Sequence, residues 1–409
     1  MTSLRPWGLA LLLFMIPQAQ AAEGGHQHHA PKAMASRSGC LSDDTGLACA
    51  TQANPAFLAD GSLVLGWVAG GRVMLARSAD DGANFEPAIA LNSGAETIDA
   101  NTDARIAIAS DGKGRVYAAW AVRKDARYNG ALMLARSEDG GRSFSAARAV
   151  ASDHTSQRFP ALMVGADDRL TLAWIDKREE AAAKKAGKPY RGGALALAWS
   201  DDGGRSFVHE GIAQSFACEC CRVVMGQDRN GLPVVMWRHI FEPNIRDHAI
   251  LSFSDRDHPG ALRKVSDDDW RVDACPHYGP SLAVSADGSV HAAWYSGGGT
   301  RKGLFYAGAP SSDGPFSAPL ALGEPGRNPA SPQVLSLGSR LWLAWKEFDG
   351  ETSSVMAQSS EDGGKNWSAP RPIATTKDNS DRPVLLAKGG KALLSWMSVA
   401  EGWRLIALE

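Results

Sequence analysis

Gly61-Ser62-Leu63-Val64-Leu65-Gly66-Trp67 is an apolar run that closes on tryptophan, and the chain repeats it six more times. The copies are GRVYAAW ending at Trp120, DRLTLAW at Trp174, GLPVVMW at Trp237, GSVHAAW at Trp294, SRLWLAW at Trp345 and KALLSW at Trp396. They are 53, 54, 63, 57, 51 and 51 residues apart. A period near fifty carried by β-type sequence marks a propeller or another closed repeat array. Each copy begins with a shorter strand, such as RIAIAS, FPALMVG, SLAVSA or PVLLA. A turn, the Trp-ending strand, a polar loop and a third strand such as ALMLARS or GLFYAGA follow.

The third strand runs into a second signature. SADDGANF starts at Ser78, SEDGGRSF at Ser137, SDDGGRSF at Ser200 and SEDGGKNW at Ser360. All fit Ser-x-Asp-x-Gly-x-x-aromatic; SSDGPF at Ser311 is shortened and SFSDRDHP near Ser254 degenerate. Hydroxyl and carboxylate bond the turn backbone, and Gly82, Gly141, Gly204 and Gly364 take a positive φ. These turns resemble the Asp-box (BNR) repeats of the sialidase-like β-propellers. The resemblance covers about residues 50–409 and implies that Asp80, Asp139, Asp202 and Asp362 are structural, away from any active site. The expectation is a single-domain, all-β propeller over 39–409, with about seven four-stranded blades. The six blades of sialidases are the alternative. The seventh copy ends after three strands, so a strand from Cys40–Thr51 is expected to close it and remove the exposed edge. Arg178–Gly193 (REEAAAKKAGKPYRGG) interrupts the third repeat and is expected to form one or two helical turns.

Composition bounds the function. With 43 Lys+Arg against 45 Asp+Glu the net charge is -2, so a nucleic-acid partner is excluded for want of a basic excess. The 13 Trp and 12 Phe exclude a disordered chain. Residues 1–21 read as a signal peptide: Arg5, an apolar run from Leu9 to Ile16, and Ala19-Gln20-Ala21 as the cleavage site. No later run is long enough to span a bilayer, so an exported, periplasmic or secreted monomer is expected. Residues 22–38 form a leader with His26, His28 and His29, either solvated or binding copper, nickel or zinc.

In a propeller the loops entering first strands share a face with the loops following second strands. Arg105, Arg158, Arg222 and Arg382 stand at first-strand entries, among Asp103, Asp381, His277 and Tyr278. The second-strand loops add Arg123, Asp176, Lys177, Arg238, His239, Arg246, Asp247 and Lys346. Converging guanidiniums suit a carboxylate, phosphate or sulfate. Each paired with an aspartate across blades is the plain alternative. The sialidase resemblance implies three arginines on a substrate carboxylate, a Tyr nucleophile activated by Glu, and an Asp acid/base. Tyr278 and Asp103 fit the last two parts, and Asp247 is a further carboxylate candidate. The first blade opens Asn54-Pro55-Ala56-Phe57 where that family has Arg-Ile-Pro; Arg105-Ile106-Ala107 echoes it one blade late. No Glu stands at a first-strand start.

Blade four opens with Cys218-Glu219-Cys220-Cys221-Arg222, and blade five with Cys275-Pro276-His277-Tyr278-Gly279-Pro280. With Trp237-Arg238 and Arg246-Asp247 this set resembles a secreted sialidase-like subgroup, a resemblance that implies no particular activity. In an oxidising compartment the four cysteines are expected to pair, Cys275 with Cys220 or Cys221. The other reading is a soft metal such as copper held by these thiolates with His277 or His239. Cys40 and Cys49 are expected to form a local disulfide. Function is then a propeller binding an anionic ligand or glycan, or a soft metal, at an Arg-lined, Cys/His-rimmed channel mouth. The alternatives are an exo-α-sialidase or other hydrolase of anionic sugars, and a structural or partner-binding propeller.

Overall fold

The computed structural model describes residues 39–409 apart from 128, 166, 167 and 275. The signal-peptide and leader readings, His26, His28, His29 and Cys275 lie outside the described residues. Among the described residues twenty-seven strands form seven antiparallel sheets in chain order. Their inner strands are Ala53–Phe57, Ala107–Ser110, Gln157–Val164, Val224–Gln227, Ser281–Val284, Ala330–Leu337 and Val384–Lys388. Each inner strand touches the next, and the last touches the first, so the ring closes as a seven-bladed β-propeller.

The repeated tryptophan explains the ring. Seven buried clusters fill the seven junctions between blades, and each holds one of those indoles. Trp174, for example, packs with Tyr117, Ala119 and Leu132 of the preceding blade. Burying an indole of this size is worth at most about 4–6 kcal/mol. Several of the indole N–H groups also tie down the loops of one face. Trp174 Nε1 donates to Asp176 Oδ2 at 2.9 Å, Trp294 to Asp268 Oδ2 at 2.7 Å, and Trp396 to the Asp381 carbonyl at 2.8 Å.

The last blade corrects one expectation. Among the described residues six sheets have four strands and the seventh has three, Val384–Lys388, Lys391–Ser398 and Gly402–Ala407. Cys40–Thr51 adds no strand to it. The Cys40–Cys49 disulfide brings those Cα atoms to 5.7 Å, which folds the segment back on itself and prevents an extended run beside Gly402–Ala407. A 3-10 turn at Leu47–Cys49 instead plugs the seam, with Leu47, Cys49 and Ala50 against Trp67, Met397 and Trp403. Trp67 Nε1 anchors it through the Thr45 carbonyl at 2.8 Å. The insertion in blade three forms the eight-residue helix Arg178–Lys185, in line with its EAAAKK core.

Antiparallel pairing gives the ring two faces. The loops between first and second strands and between third and fourth strands share one. The Ser-x-Asp turns follow third strands and lie on it. The loops entering first strands and those between second and third strands share the other, which carries every candidate site residue described below.

Candidate functional site

An axial cluster of charge sits on that second face. Asp103 enters blade two and crosses the mouth to Arg222, which enters blade four; the carboxylate bonds Arg222 Nη1. Its other oxygen accepts from Gly279 N at 3.1 Å, and Arg222 Nε donates to the Pro280 carbonyl at 2.8 Å. Gly279 is glycine because of this approach: a Cβ there falls 2.2 Å from Arg222 Cγ. Arg105 Nη2 lies 2.5 Å from Asp381 Oδ2, and Arg105 Nε donates to Asn54 Oδ1 at 2.6 Å. Lys346 Nζ donates to the Ser380 carbonyl at 2.8 Å.

The cluster holds four cations, Arg105, Arg222, Arg382 and Lys346, against the two carboxylates Asp103 and Asp381. Arg105 and Arg222 are 6% and 4% exposed. Burial lowers the Arg382 pKa well below its ordinary value, and Arg222 and Arg105 push it further down. Burial also lowers Arg105 against the pull of Asp381, and lowers Lys346. Asp381 is raised by burial despite Arg105 and Arg382. Arg105 Nη1, Arg222 Nη2 and Arg382 Nε make no hydrogen bond within the chain.

An aromatic wall adjoins the cluster two residues from Pro280. Tyr278 stacks on Tyr295 with ring centroids 4.2 Å apart, and Trp270 meets Tyr295 edge-on at 5.6 Å. Both tyrosines line a cavity of about 390 Å³ with Lys302, Leu304, Asn328 and Pro329. Burial raises the Tyr278 pKa, with Tyr295 and Asp103 adding to it. A raised phenol is a poor nucleophile, and Asp103 already bonds Arg222 and Gly279. Tyr278 and Asp103 are therefore close, with the Asp103 carboxylate held by Arg222 and Gly279. Asp247 is fully buried and accepts from Trp270 N, Asp268 N, Asp269 N and Lys264 Nζ at 3.1–3.3 Å. Four donors make that carboxylate a staple for the blade-four loops.

The remaining candidate arginines lie outside the axial cluster. Arg158 Nε bonds Asp99 at 2.6 Å, and its guanidinium covers Phe159. Arg238 stacks on Trp270 at 4.2 Å and donates to the carbonyls of Arg246, Tyr278 and Tyr295. It clamps blade four to blade five. Arg246 Nη1 donates to Cys218 Sγ at 3.5 Å.

Cys218, Cys220 and Cys221 form a buried cluster of their own. Cys218 Sγ lies 3.4 Å from Cys220 Sγ and 3.7 Å from Cys221 Sγ, with no disulfide among the three. All three are 0–1% exposed, so where a rim was expected these cysteines form a buried cluster. Hydrogen bonds from Cys220 and Cys221 hold Cys218 well below the ordinary thiol value, with Arg246 and Arg238 reinforcing them; burial raises Cys221. Burial lowers His239 to about 4, between Trp237 and Phe241. Among the described residues neither His239 nor His277 joins the three sulfurs, whose mutual distances stay within 4.8 Å. The Cys40–Cys49 disulfide forms as expected.

Sequence reasoning missed Asn54, Trp270, Tyr295 and His248. Asn54 occupies the start of the first blade, read only as a place lacking Arg. Tyr295 directly follows a repeat tryptophan, a signal that was available. His248 is buried with both ring nitrogens lacking hydrogen bonds, and burial, Arg238 and Arg222 lower its pKa.

The chain is thus a seven-bladed propeller with a charged axial mouth, and solved structures with a similar fold are found. A polysaccharide lyase of family PL25, an ulvan lyase solved bound to -[GlcA(1-4)Rha3S]-, is 10% identical with a TM-score of 0.57, covering 88% of this chain and 94% of that one. The polysaccharide lyase Uly1 is 10% identical, TM-score 0.55, covering 96% and 94%. The Hadza microbial sialidase Hz136 is 15% identical, TM-score 0.51, covering 87% of this chain, which spans 65% of that one. At such identities the likeness is one of fold. No family model and no curated protein matches the sequence.

Proposed function

We propose that the protein binds an acidic saccharide at the axial mouth, with its carboxylate or sulfate on Arg105, Arg222 and Arg382 and a sugar ring on the Tyr278–Tyr295 wall. The observation that carries this reading is the set of three N–H groups, Arg105 Nη1, Arg222 Nη2 and Arg382 Nε, left without partners in a cluster with more cations than carboxylates. Buried charge without a counter-charge is costly, and an anion accepting these donors removes that cost. The adjoining 390 Å³ cavity and its stacked tyrosines suit the apolar face of a sugar. The ulvan lyase, whose bound ligand combines a uronate with a sulfated rhamnose, supports the choice of ligand class.

Binding, rather than sialoside hydrolysis, is the reading. Asp103 is engaged by Arg222 and Gly279, and Tyr278 has a raised pKa. Purified protein should therefore release little or no sialic acid. Calorimetric titration with a sulfated glucuronate–rhamnose oligosaccharide tests the binding. It should bind, a neutral oligosaccharide should not, and Arg382→Ala should weaken binding at least about tenfold. Equal binding by Arg382→Ala, or no binding of any acidic oligosaccharide, would refute the proposal.

A further inference from the structure

We infer that Cys218, Cys220 and Cys221 form a binding site for one soft monovalent metal ion, copper(I), separate from the saccharide mouth. The turn Cys218-Glu219-Cys220-Cys221 gathers the thiols at the first, third and fourth positions. Glu219, between them, is drawn off to Lys177 Nζ at 2.5 Å. Sulfurs bound at about 2.3 Å to a common ion sit about 3.8–4.0 Å apart. The observed 3.4 and 3.7 Å need only a few tenths of an ångström of opening.

The surroundings select the ion. Thiolates favour soft metals. Among the described residues the donor atoms gathered within 4.8 Å of one another here are three sulfurs, with no imidazole or carboxylate grouped with them, a soft donor set that suits copper(I). Three thiolates around copper(I) carry two more negative charges than positive ones. One guanidinium meets them directly, Arg246 donating to Cys218 Sγ at 3.5 Å, and the Arg238 carbonyl accepts from Cys218 N at 2.8 Å, which keeps a second cationic residue beside the cluster. Such donors around a ligating sulfur tune affinity. Binding forms three Cu–S bonds and releases the thiol protons to solvent; no electron is transferred.

The test is anaerobic titration of the reduced full-length protein with copper(I) against the chelator bicinchoninate, followed by X-ray absorption. About one copper per chain should outcompete the chelator, with a sulfur first shell at about 2.3 Å. Cys221→Ser should abolish that uptake, and Arg246→Gln, which keeps all three thiols, should weaken it about tenfold or more. Circular dichroism checks that both variants fold; if Cys221→Ser does not, Arg246→Gln decides. Uptake unchanged in both variants, or lost only on replacing His26, His28 and His29, overturns the inference. So does mass spectrometry finding these cysteines in disulfides in the exported protein. Arg382→Ala should leave the titration unchanged, so this site and the saccharide site fail independently.

Discussion

The two faces of the ring hold their charges in opposite ways. On the turn face the four signature aspartates, Asp80, Asp139, Asp202 and Asp362, are satisfied within five residues of chain. Ser200 Oγ donates to Asp202 Oδ1 at 2.8 Å, Gly204 N donates to Ser200 Oγ at 2.8 Å, and Ser206 N returns to Asp202 at 2.8 Å. The same pattern recurs at Ser78–Asp80, Ser137–Asp139 and Ser360–Asp362. On the mouth face Asp103 bonds Arg222 119 residues away and Gly279 176 residues away. Local satisfaction makes a turn that any blade can use. Satisfaction across the axis makes a single site that exists only when the whole ring has closed.

Breaking each face should therefore have different consequences, and the mouth should suffer most. Asp103 is 4% exposed and neutralises a guanidinium that is equally buried. Asp103→Ala leaves Arg222 without its carboxylate and should cost about 3–5 kcal/mol of stability, read from urea unfolding. A loss below about 1 kcal/mol would mean that the axial cluster behaves as solvated surface charge.

A smaller effect separates two glycines. Gly279→Ala must displace Arg222, since the new Cβ falls 2.2 Å from its Cγ and 3.1 Å from its N. It should cost about 1–3 kcal/mol and weaken binding of the acidic oligosaccharide. Gly112, in the loop between the first and second strands of blade two, has nothing within 4 Å of an added Cβ. Gly112→Ala should be nearly silent in both assays. Equal behaviour of the two variants would remove the packing argument for Gly279.

The same contrast explains what the chain discloses before folding. The tryptophan strands and the Ser-x-Asp turns are complete within a few residues, so their repetition gives blade number and strand order. Entry positions then place Arg105, Arg222 and Arg382 on one face. Partner choice is not local: nothing near Arg158 in sequence indicates Asp99, and nothing near Arg238 indicates that its donors reach the Tyr278 and Tyr295 carbonyls. The closing strand was misjudged because a missing edge partner invites one, whereas the Cys40–Cys49 link folds that segment into a loop. The spacing of Cys218, Cys220 and Cys221 shows three thiols, and only the turn brings Cys218 Sγ to 3.4 and 3.7 Å from the other two.

The smallest effect is the acid response of the turn face. Asp80, Asp139, Asp202 and Asp362 are lowered from 3.8 to about 2. Hydrogen bonds from Asn84, Ser143 and Asn366 lead at Asp80, Asp139 and Asp362; at Asp202 desolvation is the largest influence and opposes the shift, which bonds from Ser206 and Ser200 produce. A carboxylate whose folded pKa is depressed contributes stability above its unfolded value and loses it as pH falls through the folded one. That contribution should be complete above about pH 4 and fade towards pH 2. Replacing all four with Asn removes the ionised partners, so the variant should be less stable than wild type at pH 7, and the two urea midpoints should converge between pH 4 and pH 2. Asp381, raised by burial at the mouth, acts with the opposite sign and favours the folded state as it protonates. Asp381→Asn should therefore steepen the acid loss while the fourfold turn variant flattens it. Parallel pH profiles for the two variants would erase the electrostatic difference between the faces.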